Sequence, residues 1–172
     1  MSAAPTVAEV IATGRSEGLL RLRDRSFRCA LGHGGIAARK MEGDGATPAG
    51  LLPLRRVLYR ADRLSAPACS VPVEPIGAQD GWCDDPRDPA YNRPVRLPYD
   101  GRHEELWRSD AVYDIVAVLG WNDAPVVRDR GSAIFMHLAR PGYPPTEGCV
   151  ALALDDLRAV LGMGLSAVLV PG

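Results

Sequence analysis

Residues 134–152 read IFMHLARPGYPPTEGCVAL. An apolar run ends at His137, a loop with Pro141, Pro144 and Pro145 follows, and Cys149 opens a second apolar run behind Gly148. The pattern predicts strand, loop, strand, with a histidine and a thiol at the facing ends. A thiol is a weak nucleophile until it ionises, and a neighbouring imidazole can take its proton. The strand end would hold His137 rigidly, and the loop is long enough to bring the two side chains together. Gly148 allows a tight turn and close approach of a substrate to the backbone. The amides around Gly148 and Cys149 are then candidate donors to a developing oxyanion. The spacing also fits a satisfied strand-end histidine and a buried core thiol, and spacing alone does not choose.

Outward from this stretch the chain is β-rich. Residues 113–121, YDIVAVLGW, form an apolar run joined to GSAIFMH by the loop NDAPVVRDRG. TVAEVIATG, GLLRLRD and SFRCALG, all in the first third, alternate apolar and polar positions between turn residues, as antiparallel strands do. GHGG and EGDGATPAG read as loops, and LLPLRRVLYR as a further strand. LDDLRAVLGMG has helical spacing, with Asp155 and Asp156 suiting the helix dipole and Gly162 or Gly164 as the stop. LSAVLVPG is a last strand. Residues 61–111 are irregular, but Trp82, Tyr91 and Tyr99 argue for a long ordered excursion, since disordered segments are poor in aromatics. Within it, HEELWRSD reads as one or two helical turns. The expected fold is mainly β: a compact, sandwich-like domain with one or two short helices.

A chain of 172 residues favours a single domain spanning 1–172, and 47% apolar residues supply a core. A net charge of −1 gives no bulk attraction to nucleic acid or anionic membranes. No apolar stretch is long enough to span a bilayer, and the start does not read as a secretory signal. Cys29, Cys69, Cys83 and Cys149 contain no C-x-x-C pair, and the histidines are scattered, so no metal site is expected. Cys69 and Cys83 are the nearest disulfide candidates, against four free thiols.

The motif His137…Thr146-Glu147-Gly148-Cys149-Val150, with Thr47-Pro48-Ala49-Gly50 upstream, resembles the L,D-transpeptidase catalytic domain (YkuD) family over about residues 5 to 171. The resemblance implies a peptidoglycan cross-linking enzyme. Cys149 would be the nucleophile, His137 the base, Thr146 the Ser/Thr of the motif and Gly148 its turn residue. The cysteine would attack a stem-peptide carbonyl at an L,D bond and pass the acyl group to a diaminopimelate amine. No cofactor or metal is implied, and the partners would be donor and acceptor stem peptides. The substrate implies a periplasmic or envelope location. The chain departs from the family pattern at Leu138, where glycine is common after the histidine. Glu147 stands where a second histidine is common, and Ala151 where an arginine is.

Arg140 or Arg93 is a candidate replacement for that arginine, since a guanidinium holds a carboxylate bidentately. Trp82, Tyr91, Asn92 and Arg93 have the groups a peptide-binding lid needs, and equally those of an ordinary packed loop. Lys40, Glu42 and Asp44 read as a solvated or salt-bridged rim, and His33 and His103 as exposed. Two alternatives stay open: a carboxypeptidase or D-amino-acid exchange enzyme using the same acyl-enzyme, and a peptidoglycan-binding domain without activity. Oligomeric state is not readable.

Overall fold

The computed structural model describes residues 3–172. The alternating N-terminal segments form β1 (Val7–Ala12), β2 (Glu17–Leu22) and β3 (Arg25–Ala30). A short parallel pair, β4 (Ile36–Ala37) and β5 (Thr47–Pro48), leads into the long β6 (Gly50–Tyr59). The excursion contributes β7 (Val73–Pro75), β8 (Asp80–Cys83), β9 (Pro94–Arg96) and β10 (His103–Glu105). The chain then runs through β11 (Ile115–Leu119), β12 (Phe135–Leu138), β13 (Val150–Leu152), α1 (Leu154–Gly162) and β14 (Ala167–Val170).

The main sheet runs β11-β12-β13-β3-β2-β1-β14-β6, and β6 pairs back onto β11. The sandwich-like sheet thus closes into a ring of strands, and the short β7 pairs with β6 beside it as the sheet's one edge strand among the described residues. β14 is the strand that completes it, parallel to β1 and antiparallel to β6. Inside the ring sit Leu20, Leu22, Leu52, Val57, Ile115, Ala117, Met136, Val150 and Leu152. α1 adds Leu157, Val160 and Leu161 to the same core. Each such side chain contributes about 1.5–3 kcal/mol on burial. The helix has no side-chain cap, carries Asp155 and Asp156 in its first turn, and is stopped at Gly164, whose φ is 85°.

Because strand side chains alternate, the outer face of the same strands carries Leu58, Val116, Val118, Phe135 and Cys149. The excursion covers this face. Trp82, Leu106, Val112 and Tyr113 pack on it, with Trp82 edge-on to Phe135 at 5.1 Å. Covering on both faces explains why β11 and β12 read as continuous apolar runs rather than alternating ones.

The helical reading of HEELWRSD is corrected. Its first three residues are β10, paired antiparallel to β8 with His103 opposite Cys83. An isolated helix of one or two turns is marginal on its own, and β8 offers ladder partners instead. All four cysteines are free thiols, Cys69 and Cys83 included.

Candidate active site

The register of β12 and β13 decides the site. Met136 lies opposite Val150 and His137 opposite Ala151 in a parallel pair. Met136 and Val150 face the inner core, so His137 and Cys149 fall together on the outer face. Both line one cleft of about 550 Å³, along with Glu104, Arg108, Tyr113, Arg140, Thr146 and Ala151.

Cys149 is held by the strand ahead of His137. The Phe135 N–H donates to its Sγ at 3.4 Å, and its thiol donates to the Ala133 carbonyl at 3.2 Å. Burial, reinforced by the charge of Glu104, pushes the thiol up to about 12. His137 is equally dry. Burial pulls its imidazole down to about 4, with the Arg140 and Arg108 charges adding to the effect. Its Nδ1 lies 3.0 Å from the Leu138 carbonyl, an oxygen that can only accept. Nδ1 therefore carries the ring proton and Nε2 keeps its lone pair. The Tyr113 ring packs against the imidazole with centroids 5.5 Å apart. The resting pair is a neutral thiol and a neutral base, not a preformed thiolate–imidazolium.

The turn before Cys149 is fixed by Thr146. Its hydroxyl accepts from the Gly148 N–H at 3.1 Å and donates to the Cys149 carbonyl at 2.6 Å. The Gly148 amide is thereby committed, which removes it from the pair of oxyanion donors expected from the motif. Gly148 has φ 135°, and a Cβ there would meet the Ala46 carbonyl oxygen at 2.7 Å. The Thr47 hydroxyl, next along the chain, accepts from the Gly32 N–H at 2.9 Å. The two motifs that are far apart in sequence thus meet directly at the turn.

The other candidates divide. Arg140 is exposed on the cleft rim, 3.5 Å from Asp110. Arg93 is exposed and lines a separate hollow of about 190 Å³ with Arg55, Trp82 and Trp121. Trp82, Tyr91 and Asn92 are buried, and none of them lines the cleft. The Asn92 side chain accepts from the Trp82 Nε1–H and the Ala133 N–H at 3.0 Å each, and donates to the Trp121 and Asn122 carbonyls. The Tyr91 hydroxyl accepts from the Gly131 N–H. The three tie the excursion to the barrel behind Cys149. Lys40 is buried rather than solvated, and pairs with Asp44. Glu42 is held by Ser132 and Arg102. His33 is exposed and meets Glu147 at 3.0 Å, whereas His103 is half-buried on the cleft wall and not exposed as expected.

Glu104, Tyr113 and Arg108 are cleft residues that sequence reasoning missed. The Tyr113 hydroxyl donates to Glu104, and burial pushes both groups above their usual ranges. Their signal was faint: a polar Glu104 inside a segment read as helix, and a tyrosine at the start of an apolar run.

A thiol and a basic imidazole nitrogen set together on one strand pair over a cleft are the parts of a cysteine–histidine site. The L,D-transpeptidase catalytic domain (YkuD) family matches residues 9–168. The chain belongs to that family, which is cysteine-dependent and acts on cell-wall peptidoglycan. No curated protein and no solved structure matches it significantly. Among the described residues no helix is long and apolar enough to cross a membrane.

Proposed function

We propose that this protein is a peptidoglycan L,D-transpeptidase of the cell envelope. Cys149 is its nucleophile and His137 its general base. The observation that carries this reading is the shared face of β12 and β13, where the thiol and an imidazole with a free Nε2 line the same cleft. The donor stem peptide enters the cleft with the carbonyl of an L-centre over Cys149. His137 Nε2 takes the thiol proton as sulfur attacks, and returns it to the departing amine of the D-amino acid. A thioester remains. Because the Gly148 amide is held by Thr146, the Cys149 N–H is the turn's donor to the oxyanion. Arg140, on the rim, has a guanidinium placed to hold a stem-peptide carboxylate. The acceptor amine of diaminopimelate then opens the thioester, and a cross-link forms.

The test is mass spectrometry of defined tripeptide and tetrapeptide muropeptides after incubation with the protein and with Cys149→Ala. New dimers made only by the unmutated protein support the reading. Shortened monomers alone mean that water takes the acyl group, and a carboxypeptidase replaces the transpeptidase. Unchanged substrates with both proteins refute the enzyme and leave a binding domain.

A further inference from the structure

We infer that Glu104 is the acceptor-side residue of this cleft: it holds the incoming ammonium group and takes the first of the two protons that group must lose. The inference rests on the transpeptidase reading above. Glu104 sits on β10, the wall facing the β12–β13 pair, and lines the cleft with Cys149 and His137. Its Oε2 accepts from the Tyr113 hydroxyl, while Oε1 takes no hydrogen bond from the described residues. The nearest cation, Arg108, is already forked onto Asp110. Glu104 therefore presents an uncompensated carboxylate to the cleft, next to a thiol whose ionisation that charge opposes. Such a group hinders the first half-reaction and suits a cationic ligand in the second.

Proton counting gives that ligand a reason to need it. In acylation one proton moves from sulfur to the leaving amine, and His137 alone can carry it. Hydrolysis of the thioester also needs only His137, which takes a proton from water and gives it to the departing thiolate. An amine that arrives as ammonium must lose two protons to become an amide nitrogen, and the thiolate takes back only one. Glu104 accepts the first, freeing the nitrogen lone pair to attack the thioester carbonyl. His137 accepts the second as the C–S bond breaks, and passes it to Cys149. The proton left on Glu104 goes to solvent, so a thioester and an ammonium become an amide, a thiol and a released proton. Burial raises the Glu104 carboxyl, which makes it a better proton acceptor than a solvated carboxylate. Against that, the Tyr113 hydrogen bond and the Arg108 charge lower it, while the charges of Asp84 and Glu42 raise it further.

The experiment compares the full chain with Glu104→Gln, whose amide oxygen still accepts from Tyr113. A tetrapeptide muropeptide serves as donor, and a tripeptide muropeptide bearing diaminopimelate as acceptor. Intact-protein mass gives the acylation rate, and product masses give the ratio of transfer to hydrolysis. The expected result is a transfer rate that falls at least tenfold further than acylation, with hydrolysis taking over. Transfer by Glu104→Gln should also climb about tenfold per pH unit from pH 7 to 9, since the amine, with a pKa of about 10, must now arrive neutral. The unmutated protein should climb far less. An unchanged ratio overturns the inference, and so does acylation falling as much as transfer. If Glu104→Gln does not fold, Glu104→Ala takes its place, since it too removes the carboxylate, and a ratio unmoved in that variant overturns the inference equally. No acyl-enzyme in the unmutated protein overturns the transpeptidase reading itself, a failure distinct from the others.

Discussion

Acidification should weaken this fold through His137, by an amount its burial sets. The imidazole is pulled from the ordinary 6.5 to about 4, and desolvation is the leading cause. A histidine in the unfolded chain binds its proton near pH 6.5, while the folded protein refuses it until about pH 4. Stability is therefore fully present above the unfolded value and is lost as pH falls through the folded one. The full loss is about 3 kcal/mol, of which about 2 kcal/mol falls between pH 7 and 5. Glu104 acts in the opposite sense, because a carboxyl raised in the folded state favours folding as it protonates. The comparison must therefore be differential. His137→Asn removes the titration while its amide nitrogen can still donate to the Leu138 carbonyl. Urea unfolding at pH 7 and pH 5 should show the unmutated protein losing about 2 kcal/mol more than the variant. That is a shift of about 1 M in midpoint at a slope of about 2 kcal/mol/M. Equal losses in the two proteins would refute the desolvated, neutral histidine on which the mechanism stands.

With His137 neutral down to low pH, kcat/KM for acylation should stay level from pH 8 to 5 and fall about tenfold per unit below pH 4. Iodoacetamide should modify Cys149 in the free protein slower than free cysteine by a factor on the order of a thousand at pH 7, because the thiol is pushed up to about 12. Fast alkylation would mean a preformed thiolate. Thr146→Val removes both hydroxyl contacts and should destabilise by about 1–2 kcal/mol while lowering acylation at least tenfold, whereas Thr146→Ser should restore both in thermal melts and acylation assays. Asn92→Ala strands the buried Trp82 and Ala133 N–H groups and should cost about 3 kcal/mol, read as a fall in Tm of about 6–12 °C, with donor KM unchanged in the folded fraction. A raised KM at constant Tm would instead place Asn92 on the substrate.

The strands of the first third are legible because each shows one polar and one apolar face. β11 and β12 are legible as strands, but what covers their second face is not, since that depends on an excursion some tens of residues upstream. Cys149 and His137 stand out in the sequence because their spacing, their glycine and the Thr47-Pro48 turn belong together, and the contact of Gly148 with Ala46 is the physical reason they do. Glu104 and Tyr113 escaped because the pairing of β10 with β8 brings the cleft wall into place, and a three-residue strand has no periodicity to detect. Trp82, Tyr91 and Asn92 have the right chemistry for a lid. Their partners, Phe135, Gly131 and Ala133, lie far along the chain, so local sequence could not show them buried.

β14 has a consequence for how the protein is made. Until Ala167–Val170 is synthesised, β1 and β6 both present bare edges, and the apolar interior between them is open. Unpaired edges recruit other strands, so a nascent or stalled chain is aggregation-prone until β14 arrives. The ring can be sealed only once β14 has emerged, through a contact that joins residues as far apart in sequence as Val7 and Ala167, and contacts of such separation form slowly. A holdase that shields those two edges would raise the yield of folded protein without touching the stability of the finished barrel.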